Sequence, residues 1–208
     1  GDYKKNKAKK VSILLPYFDP KHDFPIERSL VEPAFICDVV FAGHYENDGR
    51  LNAIENILYQ GIDLKLYGGG WADVINKLPK TSPLKRFNNV MPAIGEDYRK
   101  AICGAKISLC FLSSINQDNY TRRNFQIPAM KRCLLSKKTE QLKNFFLENK
   151  EMIFFENYKE IPIIIEKYLQ DNYNIDNIAE AAYKRVYKDG HDVSTRMKYF
   201  IQEISNIK

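Results

Sequence analysis

The sequence predicts an α/β fold in which a doubly wound parallel β-sheet is covered by helices and followed by further helices at the C-terminus. Short apolar runs alternate with amphipathic stretches between residues 37 and 155, an alternation that is typical of β-α-β units. Several of these runs end at a glycine, where the chain would leave a strand for the next helix. From residue 161 onward only helical periodicity remains.

The first half of the sheet follows from two apolar runs and the amphipathic stretch between them. Residues 37–42 and 64–67 are apolar runs that each lead directly into glycine, so they are predicted as strands. Between them, apolar residues recur at helical spacing over residues 48–59. Asp48 is placed to cap the start of this helix and Gly61 to end it.

The second half of the sheet is predicted around an apolar run at residues 107–112, which we expect to be the central strand. A helix over residues 96–103 precedes it and would end at Gly104. The remaining elements predicted in this part are short strands at residues 133–135 and 152–155 and a helix near residues 140–148.

Both ends of the chain differ from this alternating pattern. Three apolar stripes at helical spacing begin at Ile161, Ile178 and Met197 and predict the C-terminal helices. Residues 11–33 contain four prolines and are predicted to be an extended lead-in to the sheet. We therefore expect a single domain over residues 11–208, preceded by a basic tail over residues 1–10.

The net charge of +6 comes mainly from that tail, because the first ten residues contain five lysines and one aspartate. The other 198 residues carry a net charge of only +2. This distribution disfavours a domain that binds nucleic acid through its folded body, and we predict no nucleic-acid partner. A nucleic-acid-binding module that depends on the lysine tail is a distant alternative.

The cysteines and the apolar runs indicate a soluble protein of the cytoplasm. Four cysteines show no C-x-x-C spacing and most lie in or beside apolar runs, so we predict buried, reduced thiols. No apolar run approaches the ~18 residues that a membrane-spanning helix requires. The chain has no Asp-x-Asp motif and no histidine with a second ligand at metal spacing, so no metal site is predicted.

Candidate ligand-binding residues follow the predicted strands, where open α/β sheets bind their ligands. Gly43 and His44 follow the first strand, where a glycine lets backbone amides approach a pyrophosphate. Arg50 would lie in the first turn of the next helix and contact phosphate through its guanidinium. Gly68 follows the second strand, and a polar loop with two arginines at residues 116–129 follows the central one.

This loop resembles the donor-binding loop of glycosyltransferases of the spore-maturation-protein type, a branch of the group 1 glycosyl transferases. In that family the loop reads Asn-x-Asp followed by Arg-x-Phe-Glu-Ile-Pro-Ala, and residues 123–129 match its second part except for Gln126 in place of Glu. Residues 67–71 are similar to the family's Tyr-Gly-x-Gly-Trp. The spacing from His191 to Arg196 also matches a family pattern, although we interpret His191 as a capping and packing residue.

The resemblance implies a Rossmann-like domain that forms one half of the two-domain GT-B fold and binds a nucleoside diphosphate sugar. Asp118 and Arg123 are then the expected catalytic residues, and either Arg123 or Arg122 is expected to neutralise the diphosphate leaving group. Tyr120 joins Asp118 at the sugar. The remaining nucleotide-sugar contacts are expected from Gly43, His44, Arg50, Gly68 and Gln126. No cofactor is expected beyond the donor, the acceptor would be a glycan or another hydroxyl compound, and a second Rossmann-like domain would lie outside this chain.

The departure at Gln126 affects the expected contact with the ribose. Pro128 is predicted in the first turn of the helix, which places Gln126 at the helix N-terminus facing the nucleotide. A carboxamide accepts hydrogen bonds through one oxygen only, so Gln126→Glu would preserve or tighten nucleotide affinity. The alternative to an enzyme is a non-catalytic α/β nucleotide-binding or scaffold module. In such a module, glutamine at position 126 in place of the family's glutamate would reflect a loss of catalytic activity.

Overall fold

The computed structural model describes residues 11–87 and 89–206. Within these residues the strands are β1 (Cys37–Ala42), β2 (Leu64–Tyr67), β3 (Ala105–Cys110), β4 (Cys133–Lys137) and β5 (Ile153–Phe155). The helices are α1 (Arg50–Tyr59), α2 (Trp71–Lys77), α3 (Glu96–Gly104), α4 (Arg123–Ala129), α5 (Glu140–Phe145), α6 (Ile161–Leu169), α7 (Asn172–Lys188) and α8 (Val193–Ser205). The lysine tail lies outside the described residues.

The strands form one parallel sheet in the order β2-β1-β3-β4-β5. Val39 of β1 lies beside Leu64 of β2 on one side and Ile107 of β3 on the other. The strand order therefore reverses between β1 and β3, and β3 is the central strand as predicted. The predicted doubly wound α/β fold is confirmed.

Hydrophobic clusters cover both faces of the sheet, as a parallel sheet requires. On one face Phe41 packs with its ring centroid 6.0 Å from Trp71 and 5.0 Å from Phe111. Val40 points to the opposite face and belongs to a second cluster that includes Phe125 of α4. Because adjacent residues of β1 are buried on opposite faces, the strand has no solvent-exposed side.

Most predicted elements are confirmed, and the differences have local causes. The central strand begins and ends two residues earlier than predicted, at Ala105–Cys110. Helix α1 begins at Arg50 because Gly49 adopts a left-handed backbone with φ of 95°, while an Asp48 oxygen accepts the Arg50 N–H at 3.1 Å. Helix α2 was not predicted from the sequence, since only Trp71 and Ile75 of its seven residues are buried.

The lead-in, residues 11–33, forms no strand of the sheet and includes a short 3-10 helix at Arg28–Leu30. Phe18 holds it in place through backbone hydrogen bonds, since its N–H donates to His191 and its carbonyl accepts from Val193. All four cysteines are buried and free, which confirms the predicted reduced thiols. Across residues 11–87 and 89–206, no helix combines the length and apolarity that a bilayer crossing requires.

Candidate functional site

A cavity of about 360 Å³ opens at the carboxyl ends of β1 and β2, beside the N-terminus of α4. It lies next to the place where the strand order reverses, which is where open α/β sheets bind ligands. The loop that leads into α3 forms the opposite wall. The residues that line the cavity include Gly43, His44, Gly68, Ile94, Tyr98 and Arg123.

Gly43 and Gly68 bring the two strand ends into close contact beneath the cavity. The Gly43 N–H donates to the Tyr67 carbonyl at 2.9 Å, and the Gly43 carbonyl accepts from Nε1 of Trp71 at 2.9 Å. Gly68 has φ of 138°, and a Cβ atom there would overlap the Gly43 carbonyl oxygen. Backbone atoms therefore form this wall of the cavity, but the Gly43 N–H that was expected to approach a pyrophosphate is already bonded to Tyr67.

Arg123 is a cationic residue that lines the cavity. Its Nη1 donates to the Ala42 carbonyl at 2.7 Å, and a Cβ atom on Gly43 would overlap the same nitrogen. The guanidinium thus lies against the end of β1 because Gly43 has no side chain. A guanidinium carries five N–H donors, so the bond to Ala42 leaves others for an anion.

Tyr98 of α3 lines the same cavity and was not predicted as a site residue. Its hydroxyl is buried and has no hydrogen-bond partner within the part of the chain that the structure describes. Burial raises the pKa of Tyr98, although the positive charge of Arg123 opposes this rise. The hydroxyl is therefore neutral, and a buried hydroxyl without a partner is an available donor for a ligand.

Gln126 contacts a residue of the lead-in. Its Nε2 donates to Oδ1 of Asp23 at 2.6 Å, and Asp23 is only 3% exposed. Helix α4 begins at Arg123, three residues before Gln126, so Pro128 lies near its end. The predicted position of Pro128 in the first turn is wrong, because the Asn124 side chain accepts the Thr121 N–H and fixes the turn that starts the helix earlier.

A sequence comparison identifies the family to which this arrangement belongs. Residues 50–202 match the model of a family described as glycosyl transferase-like. This chain belongs to the glycosyl transferase-like family. The matched residues include α4 and the part of the cavity wall from Gly68 to Arg123, whereas Gly43 and His44 precede them. No curated protein sequence matches the chain.

Solved structures share the fold of this glycosyl transferase-like domain at low sequence identity. Sucrose-phosphate synthase from Thermosynechococcus elongatus aligns with a TM-score of 0.69 and 12% identity over 100% of this chain and 56% of its own. Anabaena HepE, in complex with UDP-glucose, aligns with a TM-score of 0.65 and 12% identity over 88% of this chain and 56% of its own. The C-terminal domain of the group 1 glycosyl transferase LpcC from Francisella tularensis aligns with a TM-score of 0.62 and 11% identity. The alignment covers 84% of this chain and 98% of the LpcC domain.

The chain therefore spans about half the length of the first two proteins, at 56% of each. It covers 98% of the LpcC structure, which is itself a C-terminal domain. These alignments agree with the sequence interpretation of one half of a GT-B fold.

The structure gives Arg50 a different role from the predicted contact with phosphate. Only 2% of the residue is exposed, and its guanidinium bonds to Asp48 at 2.7 and 2.8 Å and to the His44 carbonyl at 2.6 Å. Glu46 lies 3.3 Å from the same group. Burial acts to raise the pKa of Asp48, but hydrogen bonds and the charge of Arg50 outweigh it and lower the pKa. A guanidinium enclosed in this way has no free edge for phosphate, so Arg50 orders the loop after β1 instead.

The loop after β3 places its two predicted sugar contacts away from the cavity walls. Tyr120 packs its ring 6.2 Å from Phe125 and 5.7 Å from Phe145, so it lies partly buried against the hydrophobic core. Asp118 is half-buried, and its backbone N–H donates to the Ser113 carbonyl at 3.0 Å. Neither residue lines the cavity.

Two other predicted contacts lie at the edge of the site. The side chain of Arg122 is 51% exposed, and its Nη2 lies 3.4 Å from Oδ2 of Asp23. His44 is exposed at the cavity, where its imidazole faces Gly69 and its carbonyl accepts from Arg50. Of the predicted residues, the structure thus gathers Gly43, His44, Gly68 and Arg123 around the cavity.

His191 is a buried packing residue, as predicted from the sequence. It is 3% exposed, and its ring centroid lies 4.3 Å from that of Phe125 in α4. Asp192, and not His191, caps α8 by accepting the Thr195 N–H at 3.0 Å. Burial, followed by the positive charge of Arg196, lowers the pKa of His191 to about 4.

We expect this lowered pKa to make stability depend on pH. Between its unfolded pKa of about 6.5 and its folded pKa of about 4, the unfolded chain binds a proton at His191 that the folded protein excludes. The free energy of unfolding should therefore fall by about 3 kcal/mol as pH is lowered through this window. Urea denaturation at several pH values measures this change in the free energy of unfolding. His191→Gln should lose this dependence, whereas His22→Gln, on a side chain that is 77% exposed, should keep it. An unchanged slope in His191→Gln contradicts the assignment.

Proposed function

We propose that this domain binds the donor of a glycosyltransferase, a nucleoside diphosphate sugar, in the cavity between β1, β2 and α4. The observation that carries the proposal is the position of Arg123, whose guanidinium lies against Gly43 beside the reversal of strand order. An arginine at this edge of a parallel sheet supplies the positive charge that a diphosphate attracts. HepE, which shares the fold, was solved with UDP-glucose and with UDP, and this supports the ligand class.

In the proposed reaction a hexosyl or deoxyhexosyl group moves to a hydroxyl of a saccharide or another acceptor. The bond between the anomeric carbon and the diphosphate oxygen breaks, and the acceptor oxygen bonds to that carbon and loses its proton. Negative charge grows on the departing diphosphate, where Arg123 stabilises it. Asp118 stays a prediction as the second catalytic residue, on the loop that follows β3.

We propose that the reaction proceeds without a metal ion. Among the residues that the structure describes, no group of three or more histidine, cysteine, aspartate or glutamate side chains is arranged to hold one. Arg123 then performs the charge stabilisation that a divalent cation provides elsewhere.

The wider setting of the domain is also proposed. Because the chain spans 56% of two larger proteins with this fold, we infer that a second Rossmann-like domain completes the enzyme and holds the acceptor. We propose that the enzyme works in the cytoplasm in polysaccharide biosynthesis.

One observation favours a second candidate, a non-catalytic nucleotide-binding or scaffold module. Gln126 replaces the glutamate of the family's loop, and its amide bonds to Asp23. Calorimetry with a panel of nucleotides separates the candidates. A donor domain should bind one base preferentially, whereas a scaffold should show no binding heat with any of them.

The proposed function is tested by Arg123→Ala. Because this change removes a charged hydrogen-bond donor, we expect affinity for the preferred nucleoside diphosphate to fall by about 10- to 100-fold. Affinity for the corresponding nucleoside should change by less than about threefold, since it has no phosphate. Isothermal titration calorimetry with both ligands, in the presence and absence of EDTA, measures these affinities. We expect EDTA to have no effect.

Arg122→Ala is the matched control because it removes the same charge one residue earlier, outside the cavity walls. We expect it to weaken diphosphate binding much less than Arg123→Ala. An equal loss of nucleoside and diphosphate affinity in Arg123→Ala would show that Arg123 does not bind phosphate.

A further inference from the structure

Asp23 is a buried carboxylate that the proposed mechanism does not use. Its Oδ2 accepts the Asp19 N–H at 2.9 Å and lies 3.4 Å from Nη2 of Arg122, while Oδ1 accepts from Gln126. An ionised carboxylate accepts hydrogen bonds and donates none. Gln126 must therefore turn its NH2 group toward Asp23, which leaves the carboxamide oxygen as the end that a ligand can use.

The Asp23–Gln126 pair lies next to the cavity along α4, although neither residue lines it. Gln126 follows Arg123 by three residues, and residues at this spacing are neighbours on one helix face. Tyr98 lies close to both the cavity and the Asp23–Gln126 pair. It lines the cavity, and its pKa is affected by the charges of both Arg123 and Asp23. That hydroxyl has no partner within the described residues. An acceptor at Gln126 and a donor at Tyr98 form a pair suited to a sugar hydroxyl, which both donates and accepts.

We propose that Asp23 is a positioning residue that holds the Gln126 carboxamide with its oxygen directed at the ribose hydroxyls of the bound nucleotide. This inference rests on the proposed function, since it names the part of the donor that this end of the site recognises. Asp23 does not touch the ligand. It acts by fixing which end of the carboxamide Gln126 presents.

The proposal reverses the effect that the sequence predicted for Gln126→Glu. The Asp23 oxygen lies 2.6 Å from the atom that becomes a carboxylate oxygen, so the substitution opposes two negative groups in a buried place. The expectation of preserved affinity is therefore replaced by an expected loss. The double variant Asp23→Asn/Gln126→Glu exchanges the amide and the carboxylate between the two positions. It restores one donor and one acceptor and leaves an acceptor oxygen at position 126.

The test compares the wild type, Asp23→Asn, Gln126→Glu and the double variant by calorimetry. Each protein is titrated with the preferred nucleoside diphosphate and with its 2′-deoxy analogue. We expect Gln126→Glu to lose at least about tenfold in affinity for the ribonucleotide and to lose its preference over the deoxy analogue. The double variant should recover the affinity for the ribonucleotide and the preference over the deoxy analogue, each to within about threefold of the wild type. A purely structural role for the pair would weaken both ligands equally and leave the preference unchanged.

Asp19→Asn is the matched control, since it changes a neighbouring carboxylate of the same segment and should leave affinity and preference unaltered. Thermal unfolding of every variant shows whether each is folded. Wild-type affinity for Gln126→Glu, or a double variant that binds no better than Gln126→Glu, would overturn the proposal while the proposed function stands. A wild-type protein that binds no nucleotide would overturn both.

Discussion

Replacing Arg50 with methionine is expected to lower the free energy of unfolding by about 3–5 kcal/mol. The Arg50 guanidinium is enclosed by Asp48, Glu46 and the His44 carbonyl, and the Asp48 side chain is only 4% exposed. Methionine keeps much of the apolar stem but leaves two carboxylates without their cation. Such removal of one partner from a buried ion pair is strongly destabilising because the remaining charge cannot be solvated. Urea denaturation followed by circular dichroism measures the loss.

Asp48→Asn/Arg50→Met provides the control for this result. It removes the carboxylate that bonds most closely to Arg50, so part of the lost stability should return. If Arg50→Met costs less than about 1 kcal/mol, the ion pair behaves as an exposed one and the burial of Arg50 is wrong.

Replacing Gly68 with alanine is expected to cost about 3 kcal/mol and to abolish nucleotide binding. Gly68 has φ of 138°, which disfavours any side chain, and the added Cβ would overlap the Gly43 carbonyl oxygen. That oxygen is fixed by Trp71, so the overlap can be relieved only if the strand ends separate. The cavity wall would then move. Thermal unfolding and calorimetry with the nucleoside diphosphate measure the two effects.

Gly61→Ala is the matched control for Gly68→Ala. Gly61 also has a positive φ, of 74°, but no heavy atom lies within 4 Å of an added Cβ. Its cost should therefore be limited to backbone strain, about 1 kcal/mol, with nucleotide affinity retained. Equal losses in the two variants would show that the close contact between Gly68 and Gly43 is unimportant.

The sequence predicted those features that depend on near neighbours in the chain. Strands β1 and β2 were predicted at their observed bounds because apolar runs that end in glycine are local patterns. Arg123 was predicted beside the strand ends for the same reason, since a loop after a buried strand lies at a known edge of the sheet.

The missed features depend on partners that are distant in the chain or on elements too short to show periodicity. Asp23 and Gln126 are separated by 103 positions, and nothing in the proline-rich segment around Asp23 marks it as a buried acceptor. Arg50 looked like an exposed cation at a helix start, and its enclosure depends on the conformation of the preceding loop. Helix α2 has seven residues, less than the length over which an apolar stripe becomes visible.

The bond between Arg123 and the Ala42 carbonyl determines when the arginine loses its conformational freedom. A mobile arginine side chain carries about 2 kcal/mol of rotamer entropy, which a ligand must overcome if it immobilises the group. Here the protein immobilises the guanidinium during folding, since Nη1 already bonds to the end of β1. A phosphate that reaches this preorganised group meets a smaller entropic penalty. More of its electrostatic attraction to the arginine is then expressed as affinity.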